Sequence, residues 1–360
     1  MEELSPLRKQ IDVIDDEVLR LLNERARIAL QVAAVKETHQ APLHVPEREK
    51  AILERLTRDN PGPFPAAAIV AVYREIISAC LNLEGPIRVA YLGPYATFTH
   101  QAALGFFGSS SSFLPRASIP EVVASVEKGE VAYGVVPVEN STEGSVAVTL
   151  DAVAASSVTV CGEVIQRIHQ CLLSKETSMD RITRVYSHKQ SFGQCREWLT
   201  KNLPGVEVEE MASNAKAAEV ASQKPGAAAI AGKLAGEVYG LRLLADRIED
   251  TATNQTRFWI VSRESRPPGK DAKTSLLISI KDEPGSLYSM LRPFENHDIN
   301  LSRIESRPSK QQPWEYLFFI DILGHPGQKT VKAALKEVEK NCVSVKVLGT
   351  YPQGTEDDTG

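Results

Sequence analysis

The chain has 360 residues, which sets an expectation of two or three domains, and its 42% hydrophobic and 24% charged residues match ordinary globular proteins with apolar residue enough for several cores. A net charge of −5 without any Lys/Arg stripe argues against nucleic acid as a partner. The longest apolar runs are short, so no membrane span is expected, and the start Met1-Glu2-Glu3 lacks the basic and apolar stretches of a secretory signal, which points to a cytoplasmic location.

Residues 1–84 read as helices only. Ser5-Pro6 suits a helix start, and Leu7, Ile11, Ile14, Val18, Leu21, Ile28, Val32 and Val35 then follow at alternating spacings of four and three. The gap in this stripe holds Arg25, and a cation on a buried seam is costly unless an anion meets it. Lys36 lies on nearly the same face, about 16 Å further along the axis, so two long side chains can converge on one small anion. Arg8 is about 26 Å from Arg25 and cannot reach that anion within one chain; if it serves a site, it serves a partner's through antiparallel pairing. On spacing alone, a snorkelling Arg25 and a solvated Arg8 are equally good readings.

This segment resembles the all-helical chorismate mutase family through Leu7-Arg8-x-x-Ile11-x-x-x-Asp15, Asn23-Glu24-Arg25, Lys36 and Glu47-Arg48-Glu49. The resemblance implies an all-α, three-helix domain over 1–84 that works as an intertwined dimer. It further implies that Arg25, Lys36 and Arg48 hold the carboxylates and ether oxygen of chorismate, that Glu49 meets its hydroxyl, and that Arg8 enters from the other chain. Such chemistry suits the residues, because a pericyclic rearrangement needs a held conformation and cations near the breaking ether rather than a nucleophile or metal. Three positions depart from the family pattern: Val45 replaces a frequent acidic residue, Cys80 a frequent Ser, and Glu84 the Gln that bonds the ether oxygen. Cys80 reads as a small core residue.

Leu83-Glu84-Gly85-Pro86 closes this segment, and residues 87–264 then alternate short apolar strands with helical stretches, the rhythm of an α/β domain. Ile87 to Leu92 reads as a buried strand running into Gly93-Pro94-Tyr95-Ala96-Thr97-Phe98-Thr99 at a helix start, a turn suited to an anion. Val131 to Val136 runs into Pro137-Val138-Glu139-Asn140-Ser141, and Tyr186-Ser187-His188 repeats the arrangement with Gln194 and Cys195 in the next helix. Ala212-Ser213-Asn214 is another such turn, and Asn254-Gln255-Thr256-Arg257-Phe258 enters the last strand. In open α/β sheets ligands sit beyond the carboxyl ends of strands, where these polar turns lie. Taken alone the residues describe a two-lobed site for a small polyanion, in an enzyme or a binding protein, with Asn140 and Ser213 equally readable as helix caps and His169 and His188 as structural histidines. No dinucleotide or phosphate-loop glycine fingerprint is present; Gly232, Gly236 and Gly240 are merely spaced by four. The five cysteines are odd in number with no Cys-x-x-Cys pair, so neither a disulfide framework nor a metal site is expected.

The combination Gly93-Pro94…Thr97-Phe98-Thr99, Val136-Pro137-Val138-Glu139-Asn140-Ser141, Ser187-His188…Gln190 and Thr256-Arg257-Phe258 resembles prephenate dehydratase, with Ala96 where Gly is common. That implies two α/β lobes around a cleft, similar to periplasmic binding proteins, and conversion of prephenate to phenylpyruvate without a cofactor. By this resemblance Thr256 contacts the departing hydroxyl, Arg257 pairs with a carboxylate, and Glu139, Asn140, Ser187 and Gln194 line the cleft with Thr97, Thr99 and Ser213.

After the break Arg266-Pro267-Pro268-Gly269-Lys270, residues 274–351 follow the order strand–helix–strand–strand–helix–strand, which is ferredoxin-like, and Gln353 to Gly360 read as a disordered acidic tail. Pro284-Gly285-Ser286-Leu287, Asn300-Leu301 and Ile304-Glu305-Ser306-Arg307-Pro308 resemble the ACT domain attached to prephenate dehydratases. This implies an L-phenylalanine effector site, held between domains by Gly285, Ser286, Leu287, Asn300, Glu305 and Ser306, in a homodimer or tetramer. Together the segments describe consecutive reactions, chorismate to prephenate to phenylpyruvate, restrained by phenylalanine. Donation from Glu84 to the ether oxygen requires a protonated carboxyl, so mutase activity should rise as the pH falls; a Glu84→Gln variant should lose that slope, and an unchanged pH–rate profile would remove Glu84 from this role.

Overall fold

A computed structural model describes residues 4–39, 45–265, 269, 271–308, 315–354 and 356–357. By internal contacts the chain divides into two compact units, Met1–Arg88 with Phe107–Ser112, and Val89–Phe106 with Phe113–Gly360. The break expected at 266–270 lies outside the described residues except for Gly269.

The first unit is built on α1 (Leu4–Thr38), α2 (Pro46–Arg58) and α3 (Ala66–Glu84). Helix α1 already includes Leu4, so Ser5 lies inside the helix and is not its cap. Pro46 opens α2 in the position where its missing N–H costs nothing, and Gly85 ends α3 with its N–H on the Leu81 carbonyl. Every member of the α1 stripe from Leu7 to Val35 is exposed to water within the single chain. By length and composition α3 is apolar enough to cross a membrane, which the short apolar runs of the sequence did not suggest. Arg74 and Glu75 interrupt it, and it buries Ile69, Ile77, Ser78 and Cys80. Ser78 donates to the Phe107 carbonyl, which fastens residues 107–112 to this unit.

The second unit opens with β1 (Arg88–Leu92), α4 (Phe98–Phe107), β2 (Ser112–Arg116), α5 (Ile119–Glu127), β3 (Tyr133–Asn140), β4 (Gly144–Ser145), α6 (Ala147–Ala154) and β5 (Thr159–Arg167). The chain then crosses to a second lobe, comprising β6 (Cys171–Ser174), β7 (Arg184–Ser187), α7 (Lys189–Gln194), α8 (Arg196–Asn202), β8 (Glu207–Glu210), α9 (Asn214–Ala221), β9 (Ala227–Ala231), α10 (Lys233–Tyr239) and β10 (Arg242–Ala245). It returns as β11 (Gln255–Ser262), which pairs antiparallel with both β3 and β5 and so completes the interior of the first sheet. The run Phe258-Trp259-Ile260-Val261 is wholly buried, as a strand covered on both faces must be. In the second lobe the order is β10-β6-β9-β7-β8, and the alanines of β9 let Ala215, Ala218 and Ala221 of α9 approach closely. The two crossing segments bond each other, Ile168 N–H to the Asn254 carbonyl and Ile248 N–H to the Gln170 carbonyl.

The turn after β1 carries the first wall of the cleft. Ala96 adopts φ 65°, a left-handed conformation that favours glycine, which accounts for the family's usual residue there. Its N–H donates to Nδ1 of His100, whose ring stacks on Tyr91 with centroids 4.6 Å apart. Burial pushes the His100 pKa down to about 4.

The last module is β12 (Ala272–Lys281), α11 (Ser286–Asn296), β13 (Leu301–Pro308), β14 (Glu315–Leu323), α12 (Lys329–Asn341) and β15 (Ser344–Pro352), an antiparallel sheet of order β13-β14-β12-β15. Alternation along the strands divides its residues. Leu276, Ile278, Ile280, Phe318, Ile320 and Ile322 pack on the two helices. Phe319, Leu348 and Tyr351 instead join Val136, Val160 and Trp259 in a core shared with the first lobe. The tail, expected to be disordered, contributes β16 (Glu356–Asp357), which pairs in parallel with β5. At Gly349 the two sheets meet backbone to backbone: a Cβ there would lie 1.9 Å from the Val160 carbonyl oxygen.

Two stability measurements follow. Gly349→Ala should destabilise the second unit by about 1–3 kcal/mol or more in urea denaturation, because the atom it meets is backbone. His100 is neutral when folded, so its stabilising contribution is full above about pH 6.5 and is lost as the pH falls towards 4. His100→Phe should therefore show a shallower loss of stability than the parent over that interval; identical slopes would show that the imidazole does not titrate on unfolding.

Candidate active sites

In the helical unit, the structure brings Lys36 and Glu84 together. Lys36 Nζ lies 2.7 Å from Glu84 Oε2, joining α1 to the end of α3. Arg25 is half-buried on α1, and Arg48 and Glu49 are exposed and half-buried on α2. Arg8 is exposed at the opposite end of α1 from Lys36. A groove beside Lys36 is lined by Ile28, Gln31, Val32, Val35 and His39. Cys80 is buried, in keeping with a core residue.

The second unit holds a cleft of about 280 Å³ between its two lobes. Thr97, Thr99, Asn140, Gln194, Ser213 and Thr256 all line it. Asn140 is the centre of its polar wall. Its Oδ1 accepts from the backbone N–H groups of Thr142 and Glu143, which fixes the amide's orientation. Its Nδ2 lies 2.8 Å from both Thr256 Oγ1 and Asn254 Oδ1. An amide nitrogen only donates, so Thr256 Oγ1 is the acceptor in that bond and its own proton remains to be given elsewhere. Across the cleft, Asn214 accepts from His188 N–H and donates to Ser191 Oγ, while Gln170 donates to Gln194 and Ser191.

Three residues expected in the cleft stand outside its lining. Ser187 is fully buried behind it, bonded to the Ile230 carbonyl and the Asn214 amide, so it supports the wall. Glu139 and Arg257 sit opposite each other in the β3–β11 register, one residue from Asn140 and Thr256 respectively, and the period of two turns them to the other face. There Arg257 pairs with Asp321 of β14 at 2.6 Å, and Glu139 with Arg303 of β13 at 3.2 Å. Burial opposes the Arg257 charge, but Asp321 and Glu163 more than offset it, and its pKa is raised. The expectation that Arg257 forks a substrate carboxylate is therefore corrected: its partner is a carboxylate of the protein. The described lining of the cleft contains no Lys or Arg. Its walls instead include the starts of α4 and α9, where backbone N–H groups and the helix dipole favour an anion. Gln170, Asn254, Asn214 and Ser191 were not singled out from sequence. The first three adjoin residues that were, and only their polarity at a strand end marked them.

In the last module, Gly285 takes φ 87° and begins α11, with Ser286 and Leu287 in its first turn. Asn300 is exposed, and its carbonyl accepts from Leu323 N–H. The sheet register puts these groups at opposite ends: Lys281, before the Gly285 turn, pairs with Glu315, whereas Leu301 pairs with Ile322. Seven residues of strand separate them, about 23 Å. Along β13, Ser306 is exposed while Glu305 turns towards the first lobe and accepts from Ser145 Oγ at 2.8 Å.

Three family models match the chain: chorismate mutase type II over residues 7–85, prephenate dehydratase over 89–266 and the ACT domain over 274–340. The bifunctional chorismate mutase/prephenate dehydratase of Aquifex aeolicus is 50% identical over 358 residues, covering 98% of this chain and 99% of its own. The enzyme of that name from Stutzerimonas stutzeri is 46% identical, with 98% of each chain covered. A crystal structure of prephenate dehydratase from Arthrobacter aurescens in complex with L-Phe superposes with a TM-score of 0.70 at 30% identity, covering 76% of this chain and 92% of that one. With both catalytic modules and the ACT module present in one chain, this protein belongs to the bifunctional chorismate mutase/prephenate dehydratase family, and it is an enzyme with both activities.

Proposed function

We propose that the chain carries chorismate through prephenate to phenylpyruvate, with Thr256 at the centre of the second step and L-phenylalanine as a feedback inhibitor. The observation that carries the dehydratase assignment is the 2.8 Å bond from Asn140 to Thr256 in the cleft. In this step the bond from the ring carbon to its carboxylate breaks and carbon dioxide leaves. The released electron pair moves into the ring, which becomes aromatic as it expels the hydroxyl opposite. The demanding part is the departure of that hydroxyl, which a donated hydrogen bond assists. Thr256, with its oxygen occupied by Asn140, presents its proton to that group. A threonine is a weak acid, so it orients or relays a proton and does not supply one permanently. The substrate's carboxylates are held by backbone N–H groups at the starts of α4 and α9 together with Thr97, Thr99 and Ser213.

For the first step, we assign Lys36 and Arg25 to the substrate's anionic groups and Glu84 to its ether oxygen, with Arg48 and Glu49 from α2. The separation of Arg8 from Lys36 along one helix supports giving Arg8 to a second chain's site, and the exposed α1 stripe supports a dimer. The effector reading needs a partner for the same kind of reason. Gly285 and Asn300 are too far apart in one module to hold one amino acid. Two modules related by a twofold axis bring one end of each to the other, and the family relative in complex with L-Phe supports that ligand.

The test is made on the full chain with chorismate and with prephenate, each with and without phenylalanine. Thr256→Ala should lower phenylpyruvate formation by on the order of 10²–10⁴-fold while chorismate consumption stays within about twofold of the parent. Phenylalanine should slow the parent's dehydratase step. Substantial phenylpyruvate formation by the variant would refute the role of Thr256.

A further inference from the structure

Directly behind Thr256, on the face of β11 away from the cleft, lies a group of six charges, buried except for Glu139, whose side chain is 38% exposed. Arg257 Nη2 is 2.6 Å from Asp321 Oδ2, and its Nε is 3.8 Å from Glu163 and 3.9 Å from Glu139. Lys273 Nζ lies 2.6 Å from Glu163 Oε1, and Arg303 Nε lies 3.2 Å from Glu139 Oε2. Three cations thus face three carboxylates. They come from two modules: Glu139, Glu163 and Arg257 from the dehydratase sheet, Lys273, Arg303 and Asp321 from the ACT sheet. Asp321 is 1% exposed and is itself held, since its Oδ1 accepts from Ser275 Oγ at 2.5 Å, and Ser275 is bonded in turn to Tyr351.

The backbone beside this group is irregular. The β3–β11 register slips between Arg257 and Phe258, where Val138 of β3 has no partner on β11, so on this side β11 loses the regular ladder one residue beyond Thr256, while its pairing with β5 continues from Gln255 to Ile260. A bulge on one strand changes the local twist of the pair. Opposite this one, the side chain that ties β11 to the ACT sheet is Arg257, through Asp321.

We propose that Asp321, a residue of the ACT sheet, is a positioning residue for the dehydratase: its ion pair with Arg257 fixes the backbone of β11 so that Thr256 meets the departing hydroxyl. The ACT module is then part of the dehydratase's own support. This rests on the assignment of Thr256 made above. Removing the Asp321 carboxylate takes away the nearest partner of the buried Arg257, which then turns towards water, and the strand carrying Thr256 follows. A second ion pair serves as a control for the interface in general. Arg307 on β13 lies 3.1 and 3.2 Å from the two carboxylate oxygens of Asp151, and this pair ties the ACT sheet to α6 instead of β11.

The experiment uses the full chain and the variants Asp321→Asn, Asp321→Glu, Ser275→Ala and Asp151→Asn, measured for dehydratase kcat and KM, thermal midpoint and mutase rate in the same preparation. Asp321→Asn should lose tenfold or more in dehydratase kcat with KM within twofold. Asp321→Glu should recover part of that loss, and Ser275→Ala, which releases only one oxygen of Asp321, should fall between parent and Asp321→Asn. Asp151→Asn should keep kcat within twofold, and all should keep the parent's mutase rate. Parental kcat in Asp321→Asn overturns the proposal, as does an equal loss in Asp151→Asn at an equal drop in thermal midpoint. If Asp321→Asn does not fold, parental kcat in Ser275→Ala overturns it. Turnover retained by Thr256→Ala would sink the Thr256 assignment separately, whatever the Asp321 variants do.

Discussion

The antiparallel register of β3 and β11 sets Thr256 opposite Asn140 and Arg257 opposite Glu139. Because side chains alternate across a strand, this pairing sends one couple into the cleft and the next into the charged layer under the ACT sheet. A slip of one residue would exchange them, burying a threonine among ions and placing an arginine in the cleft. The alignment is backed on the other side of β11 by β5, whose pairing runs without a break from Gln255–Arg167 to Ile260–Gly162. Chemistry on one face and attachment to the effector module on the other are consequences of a single alignment. The cost of burying charges there is met by their mutual pairing and by Ser275, and mispairing any one of them is expensive.

Much of the architecture was legible beforehand because its signals are local. The helical character of residues 1–84, the strand–turn–helix rhythm of the middle and the ferredoxin-like order of the last module follow from spacing and from glycine and proline punctuation. The cleft residues Thr97, Thr99, Asn140, Gln194, Ser213 and Thr256 were reached through the resemblance to prephenate dehydratase; the polar turns at strand ends pointed only to a site for a small anion. Arg257 was misplaced for a physical reason. An arginine beside a catalytic candidate suggests a substrate anion, whereas the anion that meets it, Asp321, lies sixty-four residues away in another module. Long-range pairing of this kind leaves no periodic trace. The merging of the dehydratase and ACT cores around Trp259, Phe319 and Tyr351 was invisible for the same reason, as was the pairing of the tail with β5.

On the proposed assignments, the helical unit and the effector module each set groups meant for one ligand at opposite ends of an element. In α1 a stripe of large apolar residues faces water, and Arg8 and Lys36 lie at opposite ends of the same helix. In the ACT sheet the Gly285 turn and Asn300 lie at opposite ends of the strands. In both, groups suited to one small ligand are separated by the length of an element, and an antiparallel copy is the simplest geometry that reunites them. The two modules would therefore make related demands on assembly under the proposed assignments.

The second lobe is an insertion. Residues 171–245 form a sheet of their own between β5 and β11, and only after them does the chain provide the strand that fills the gap between β3 and β5. A chain emerging in order from the ribosome thus completes the second lobe while the first still has two open strand edges facing an empty place. The hydrogen bonds between the crossing segments, from Ile168 to Asn254 and from Ile248 to Gln170, join the way out of the first sheet to the way back. They act as a latch, and its Asn254 half is made only when the residue next to β11 is in place. Thr256 sits two residues past that latch, so the residue assigned to the chemistry takes its place only once both lobes have been made.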